Sequence, residues 1–190
     1  MRFVKVQQKN FLENVISDAD YKFFKTKLKK DGHTSWYFVV WFLTATGARV
    51  SELLQIKAEH VQQGYLDIYS KGGKLRRLYI PKTLRMEALV WLKERDLESG
   101  YLFLNRFGER ITARGLAQQL KLFAKKYGIN TAVVYPHSFR HRFAKNFLDR
   151  FNDLALLADL MGHESIETTR IYLRRTTTEQ QAIVDKIVNW

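Results

Sequence analysis

The chain has 190 residues and no cysteine, and its 32 Lys+Arg against 19 Asp+Glu leave a formal net charge of +13. The length suits one domain, and 46% apolar with 14% aromatic residues suffices for a packed core rather than disorder. The missing cysteines exclude a disulfide framework, a zinc–thiolate site and a cysteine nucleophile, and they fit an intracellular, cytoplasmic protein. The longest apolar run, Trp36 to Leu43, is eight residues, far short of the ~20 that a bilayer requires. Met1-Arg2-Phe3-Val4-Lys5 lacks the apolar stretch of a signal peptide. A pI near 9.9 points to a polyanionic partner, a property shared by ribosomal proteins, nucleases, recombinases and membrane-surface proteins.

Two prolines, Pro81 and Pro136, and no low-complexity linker or repeat describe one folded unit. Ser17-Asp18-Ala19-Asp20 offers N-cap candidates for a helix whose Tyr21, Phe24 and Leu28 recur at helical spacing. Thr34-Ser35 can cap the buried helix that follows, and Gly47 interrupts it; a short helix from Val50 to Ile56 turns Leu53 and Leu54 inward. Leu66 and Ile68, then Leu78 and Ile80, alternate around the turn Ser70-Lys71-Gly72-Gly73-Lys74, which predicts a β-hairpin. A further strand near His60–Gln62 would complete a small three-stranded antiparallel sheet. Helical periodicity returns from Lys82 through Leu84, Ala88, Trp91 and Leu92. Further helices are expected from Thr112 to about Tyr127, over 137–150 and over 153–161, the last broken by Gly162. The tail from Thr178 sets Ile183, Val184, Ile187 and Val188 on one helical face. The fold class is α+β, mainly α, with one small sheet.

The placement of single basic residues is informative. Arg49 follows the Gly47 break, one turn before Glu52, and Lys71 sits at the hairpin tip. His137 and Arg140 are three apart and so share a helix face. His163 follows Gly162 at a helix end, and Tyr172 lies nine residues later. Together these are the parts for phosphoryl transfer without metal: guanidiniums for the non-bridging oxygens, a lysine to donate a proton, imidazoles to assist and a phenol to attack. Each has an ordinary reading when taken alone. Arg49 and Glu52 read as surface charges, Lys71 as a solvated turn with Lys74 its rival, and Tyr172 as a half-buried aromatic. His137 and His141 have a spacing that suits zinc, but no glutamate follows His137 as a metalloprotease box needs.

The joint pattern decides. Thr46-Gly47-Ala48-Arg49-Val50-Ser51-Glu52-Leu53 resembles the first-arginine motif of the tyrosine recombinases, the phage-integrase and Xer-type family. Lys71 resembles that family's hairpin lysine. Pro136-His137-Ser138-Phe139-Arg140-His141 is similar to its His-x-x-Arg box, with Phe139 where leucine is commoner. Leu160-Met161-Gly162-His163, then Tyr172, is similar to its Leu-Gly-His…Tyr ending, at the same nine-residue spacing. Four boxes in order and in register, spread from about residue 11 to about 178, make the resemblance specific.

The resemblance implies a helical catalytic domain over 1–177 that cuts and rejoins double-stranded DNA through a 3′-phosphotyrosyl link. Tyr172 would be the nucleophile, and Arg49 and Arg140 would neutralise the five-coordinate phosphate. Lys71 would protonate the leaving 5′ oxygen, His163 would hold a non-bridging oxygen, and His137 would assist proton transfer with Tyr172. Glu52 would orient the first arginine. No metal, no ATP and no other cofactor is implied. Lys74, Arg76, Arg77, Arg114, Arg142 and Lys145 are candidate contacts to the DNA backbone, positioning it rather than reading it. The family's N-terminal clamp domain has no counterpart here, so the expectation is either an excised catalytic domain or a naturally short member like the fimbrial-type inversion recombinases. The tail helix 178–190, ending in Trp190, would dock on a neighbour in a homotetramer on DNA, a dimer of dimers, or else fold back on its own core. Competing functions are a type IB topoisomerase-like relaxase, a catalytically silent DNA-binding module and a basic RNA-binding protein, whose RRM-type motifs are missing.

Overall fold

In the computed structural model, which describes residues 15–69, 75–163, 168–169 and 184–186, the chain enters helix α1 (Asp18–Lys30) at Ser17. The Ser17 side chain accepts from the Asp20 backbone N–H. Asp18 and Asp20 in the first turn and Lys27, Lys29 and Lys30 in the last both complement the helix dipole. Phe24 and Leu28, four apart, are its buried stripe.

Helix α2 (Thr34–Thr46) is apolar nearly all round, as a central helix must be; Tyr37, Phe38, Val39, Val40, Phe42 and Leu43 are all buried. Its N-cap is His33 with no side-chain cap bond, so the Thr34-Ser35 cap expected from sequence is not made: both residues lie inside the first turn. It ends at Gly47, whose φ of +64° reverses the chain. Helix α3 (Val50–Leu53) follows after three residues, shorter than expected but with Leu53 and Leu54 buried.

The anticipated strand at His60–Gln62 is instead part of helix α4 (Ala58–Gln63). Ala58 and Val61, three apart, bury one helical face, and Gly64 at φ +90° stops the helix. Among the described residues the sheet therefore has two strands, β1 (Tyr65–Tyr69) and β2 (Leu75–Tyr79), antiparallel with Leu66 opposite Leu78 and Ile68 opposite Arg76. Alternation turns Arg76 and Leu78 inward and leaves Leu75, Arg77 and Tyr79 outside.

Helices α5 (Lys82–Glu94), α6 (Ala113–Lys126, capped by Thr112), α7 (Pro136–Arg150) and α8 (Leu154–Met161) complete the fold, with a 3₁₀ turn at Thr131–Val133 before α7. Helix α2 lies between α1 and α7, and the core around it is aromatic. Phe38 stacks on Trp91 at 4.4 Å, Phe42 meets Phe103 edge-on, and fully buried Phe139 stacks on Phe24. A second, smaller cluster of Ala144, Leu148, Leu157 and Met161 fastens α8 to α7. In the tail, residues 184–186 are helical and Val184 is exposed; Ile183, Ile187, Val188 and Trp190 lie outside the described residues. No helix among the described residues is long and apolar enough to cross a membrane.

The aromatic core makes a direct prediction. Phe139→Ala should lower unfolding free energy by about 3–5 kcal/mol, whereas Phe107→Ala, at a position 71% exposed, should change it by less than about 0.5 kcal/mol. Urea unfolding of the two variants measures the contrast.

Candidate active site

Three arginines from three different elements meet at the end of α8. The last carbonyls of a helix have no partner within it and need donors from elsewhere. Here Arg76 Nε, from β2, donates to the Leu160 carbonyl at 2.9 Å. Arg140 Nη2, from α7, donates to the Met161 carbonyl at 2.6 Å. Arg49 Nη2, from the N-cap of α3, donates to the Gly162 carbonyl at 2.9 Å. Gly162 itself has φ +61°, and a Cβ there would overlap the Arg76 side chain, so both conformation and space call for glycine.

Glu52 lies beneath the arginines, 5% exposed. Its carboxylate accepts from Arg76 Nη1 at 2.6 Å, from Arg49 Nη1 at 2.9 Å and from the Arg49 backbone N–H at 2.6 Å, with Arg140 Nη1 at 3.9 Å. Arg140 Nη1 also donates to the Gly47 carbonyl at 2.5 Å, tying the site to the end of α2. Burial pushes the Glu52 carboxyl upward. The Arg76 charge, the Arg49 backbone N–H and the remaining guanidinium contacts outweigh it and hold the group below its ordinary value. Among the described residues three guanidiniums share this one carboxylate. Arg49 is the one that reaches solvent: its side chain stays 41% exposed while those of Arg76 and Arg140 are nearly enclosed.

His163 completes the cluster. Its Nε2 lies 3.2 Å from Arg140 Nη2 and its Nδ1 2.7 Å from Thr169 Oγ1. Burial, then the charges of Arg140, Arg49 and Arg76, push it down to about 4, so it is neutral at pH 7. His137 keeps an exposed edge on the same face of α7; partial burial of its ring and the Arg140 and Arg49 charges lower it too. His141, a turn further on with its ring centroid 6.3 Å from that of His137, is lowered to about 4, chiefly by burial.

Of the residues singled out in sequence, Arg49, Glu52, Arg140 and His163 are brought together, with His137 at the edge. Lys71, Lys74 and Tyr172 lie outside the described residues. The expected DNA-backbone contacts divide. Arg114 and Lys145 are exposed. Arg77 is exposed but its guanidinium forks onto Asp67 at 2.8 and 2.9 Å and lies over the Tyr65 ring. Arg76 and Arg142 are each only 8% exposed, which places them in the interior rather than on a DNA-facing surface. Arg76 belongs to the Glu52 cluster, and Arg142 pairs with Asp18 and covers the Tyr21 ring, joining α7 to α1. The alternation of β2 carried the signal for Arg76, since it shares the inward parity of Leu78 and Ile80. The α8 carbonyls and Thr169 went unnoticed in the sequence.

Comparison with known proteins agrees with this geometry. The model of the phage integrase family matches residues 16–179. The chain belongs to that family. It is 36% identical over 154 residues to tyrosine recombinase XerA of Pyrococcus furiosus, covering 78% of this chain and 53% of that protein. It is also 36% identical over 143 residues to tyrosine recombinase XerD of Listeria innocua, covering 70% and 48%. The chain thus spans about half the length of the curated relatives it matches. Among solved structures, XerH site-specific recombinase bound to palindromic difH substrate, a post-cleavage complex, superposes with a TM-score of 0.71 at 26% identity. That match covers 95% of this chain and 54% of XerH. The family's helical catalytic fold with a small antiparallel sheet is the fold seen here.

The buried carboxylate gives a pH prediction. A carboxyl held below its unfolded value contributes stability that is complete above about 4.5 and is lost as pH falls through the folded value. Glu52→Gln should therefore cost about 3–5 kcal/mol at pH 7 by leaving the arginines unpaired, and should flatten the acid limb of the stability curve. Denaturant unfolding of both proteins between pH 7 and pH 3 tests both effects.

Proposed function

We propose that this chain is the catalytic domain of a site-specific DNA recombinase that cuts and rejoins double-stranded DNA through a 3′-phosphotyrosyl intermediate. The observation that carries this reading is the convergence of Arg49, Arg140 and His163 at the end of α8. Carbonyls orient a guanidinium without cancelling its charge, and Arg49 keeps an exposed face from which it can meet a phosphate that gains negative charge in its transition state.

In this reaction the Tyr172 oxygen forms a bond to phosphorus as the bond from phosphorus to the 5′ oxygen breaks. The phenol proton leaves with help from His137, and Lys71 supplies the proton that the departing oxygen takes up. Arg49 and Arg140 bind the non-bridging oxygens with His163 beside them. The new ester conserves the phosphodiester's energy, so religation to another strand needs no ATP. Glu52 and Arg76 position the arginines without touching DNA. Arg114 and Lys145, exposed on α6 and α7, together with Lys74, are assigned to backbone phosphates. The active assembly is a homotetramer on DNA, a dimer of dimers joined by residues 178–190, working at the nucleoid in the cytoplasm. The relatives' names, all tyrosine recombinases, support strand exchange over a relaxase or a silent binder.

The test uses a pool of nicked duplexes with randomised sites, incubated with the protein in EDTA and resolved on denaturing gels. A protein–DNA adduct is expected, and Tyr172→Phe should abolish it. Arg49→Ala and Arg140→Ala should each slow adduct formation by about 10²–10³. An adduct that survives Tyr172→Phe, or no adduct from any site, would sink the reading. Removing residues 178–190 should spare monomer folding and abolish cooperative assembly on captured sites, as gel mobility would report.

A further inference from the structure

We infer that Thr169 is a positioning residue that holds His163 as its Nδ1-protonated neutral tautomer, with the Nε2 lone pair turned toward Arg140. The geometry leaves one assignment. A guanidinium carries donors and no acceptor, so the 3.2 Å contact between Arg140 Nη2 and His163 Nε2 requires Nε2 to accept. A neutral ring that accepts at Nε2 carries its proton at Nδ1. That atom lies 2.7 Å from Thr169 Oγ1, which receives the bond. Thr169 is fully buried, so no water competes for the place.

The surroundings agree with a neutral ring. Arg140 and His141 face it from α7, Arg49 from the start of α3 and Arg76 from β2, and each disfavours a further positive charge. Among the described residues the carboxylate within the cluster, Glu52 on α3, is already taken up by Arg49 and Arg76.

This state has a consequence for the proposed strand transfer, on whose reading it rests. In the DNA-free protein Nε2 has no proton to donate. Binding a phosphate oxygen through Nε2 therefore requires protonation from solvent to the imidazolium. A phosphate between the guanidiniums and the ring favours that proton by offsetting the positive field. Throughout, the Nδ1–H bond to Thr169 keeps the ring in one orientation. Thr169 thus sets which nitrogen meets the substrate, much as an acceptor behind a histidine fixes its tautomer in other sites.

Two readouts test it on the full chain. In the ¹⁵N-labelled, DNA-free protein at pH 7, two-bond ¹H–¹⁵N spectra should show His163 with a protonated Nδ1 and a bare Nε2, its signals identified by their loss in His163→Gln. Thr169→Val keeps the shape but leaves a buried Nδ1–H without an acceptor, so the ring should give up its contact with Arg140 and shift to the Nε2–H form or a mixture; Thr169→Ser should restore the single tautomer. Thr169→Ala replaces the valine variant if that does not fold. A wild-type ring already protonated at Nε2, or an unchanged tautomer in the valine or alanine variant, would overturn the inference. With captured nicked DNA, Thr169→Val should slow adduct formation about tenfold at unchanged DNA affinity, and Thr169→Ser should recover it. A shifted tautomer with an undiminished rate would overturn the catalytic half. Absence of any adduct in the wild-type protein would count against the recombinase reading alone, because the spectra need no DNA.

Discussion

The site depends on one substitution of partners: its arginines are anchored by the open carbonyls of a helix end more than by carboxylates. A helix C-terminus presents unsatisfied oxygens and about half a negative charge. That is enough to orient a guanidinium but not to cancel it. Leu160, Met161 and Gly162 each take one arginine, and among the described residues one carboxylate, Glu52, links two of them from below. Three carboxylates in the place of the carbonyls would cancel the guanidinium charge instead of only orienting it.

The same arrangement ties distant parts of the chain into one unit. Residues 49–52, 76, 140 and 160–163 come from one strand and three helices with their caps, and hydrogen bonds join them into one cluster. Helix α8 is short, and its hold on the body of the protein is a small cluster with α7 through Ala144, Leu148, Leu157 and Met161. Its carbonyls add polar bonds to that limited apolar contact. The arginines and α8 therefore order each other: the helix end aims the guanidiniums, and the guanidiniums satisfy the helix end. Gly47 plays a matching role at the end of α2, where its carbonyl receives Arg140 and a Cβ would run into the Phe143 ring.

Much of this was legible in the sequence where the signal is local. Glycine breaks at 47 and 162, the alternation around the hairpin and the spacing of the four boxes are properties of neighbouring letters. The misreadings have physical causes. Around His60 a short segment satisfies either period, and only the burial of Ala58 with Val61 and the stop at Gly64 make it a helix. Thr34 and Ser35 are good capping residues, but the chain entering from Asp31-Gly32-His33 starts the helix one residue earlier. Arg76 and Arg142 look like solvent-facing charges because arginine usually is one. What buries them is Glu52 in one case, and Asp18 with Tyr21 in the other, partners 24 and 124 residues away. Backbone carbonyls have no letter at all, so the acceptors that organise the site were invisible until the helix end was seen.

Gathering like charges around a half-enclosed site works against folding, and the structure shows where this is offset. A buried ion pair contributes little net stability once desolvation is counted, although breaking it is costly. Glu52 is thus better understood as fixing geometry than as strengthening the fold. The favourable free energy must come from elsewhere, and the aromatic layer of Phe24, Phe38, Phe42, Trp91, Phe103 and Phe139 is the obvious source, since large rings bury much apolar area each. Phe139 and Arg140 are adjacent on α7 and both buried, one ring into that layer and one guanidinium into the polar cluster. A single helix thereby carries both the interaction that stabilises the domain and the charge that the domain must tolerate. Substitutions in the aromatic layer should accordingly act on the site through α7, displacing Arg140 even where they touch no polar group.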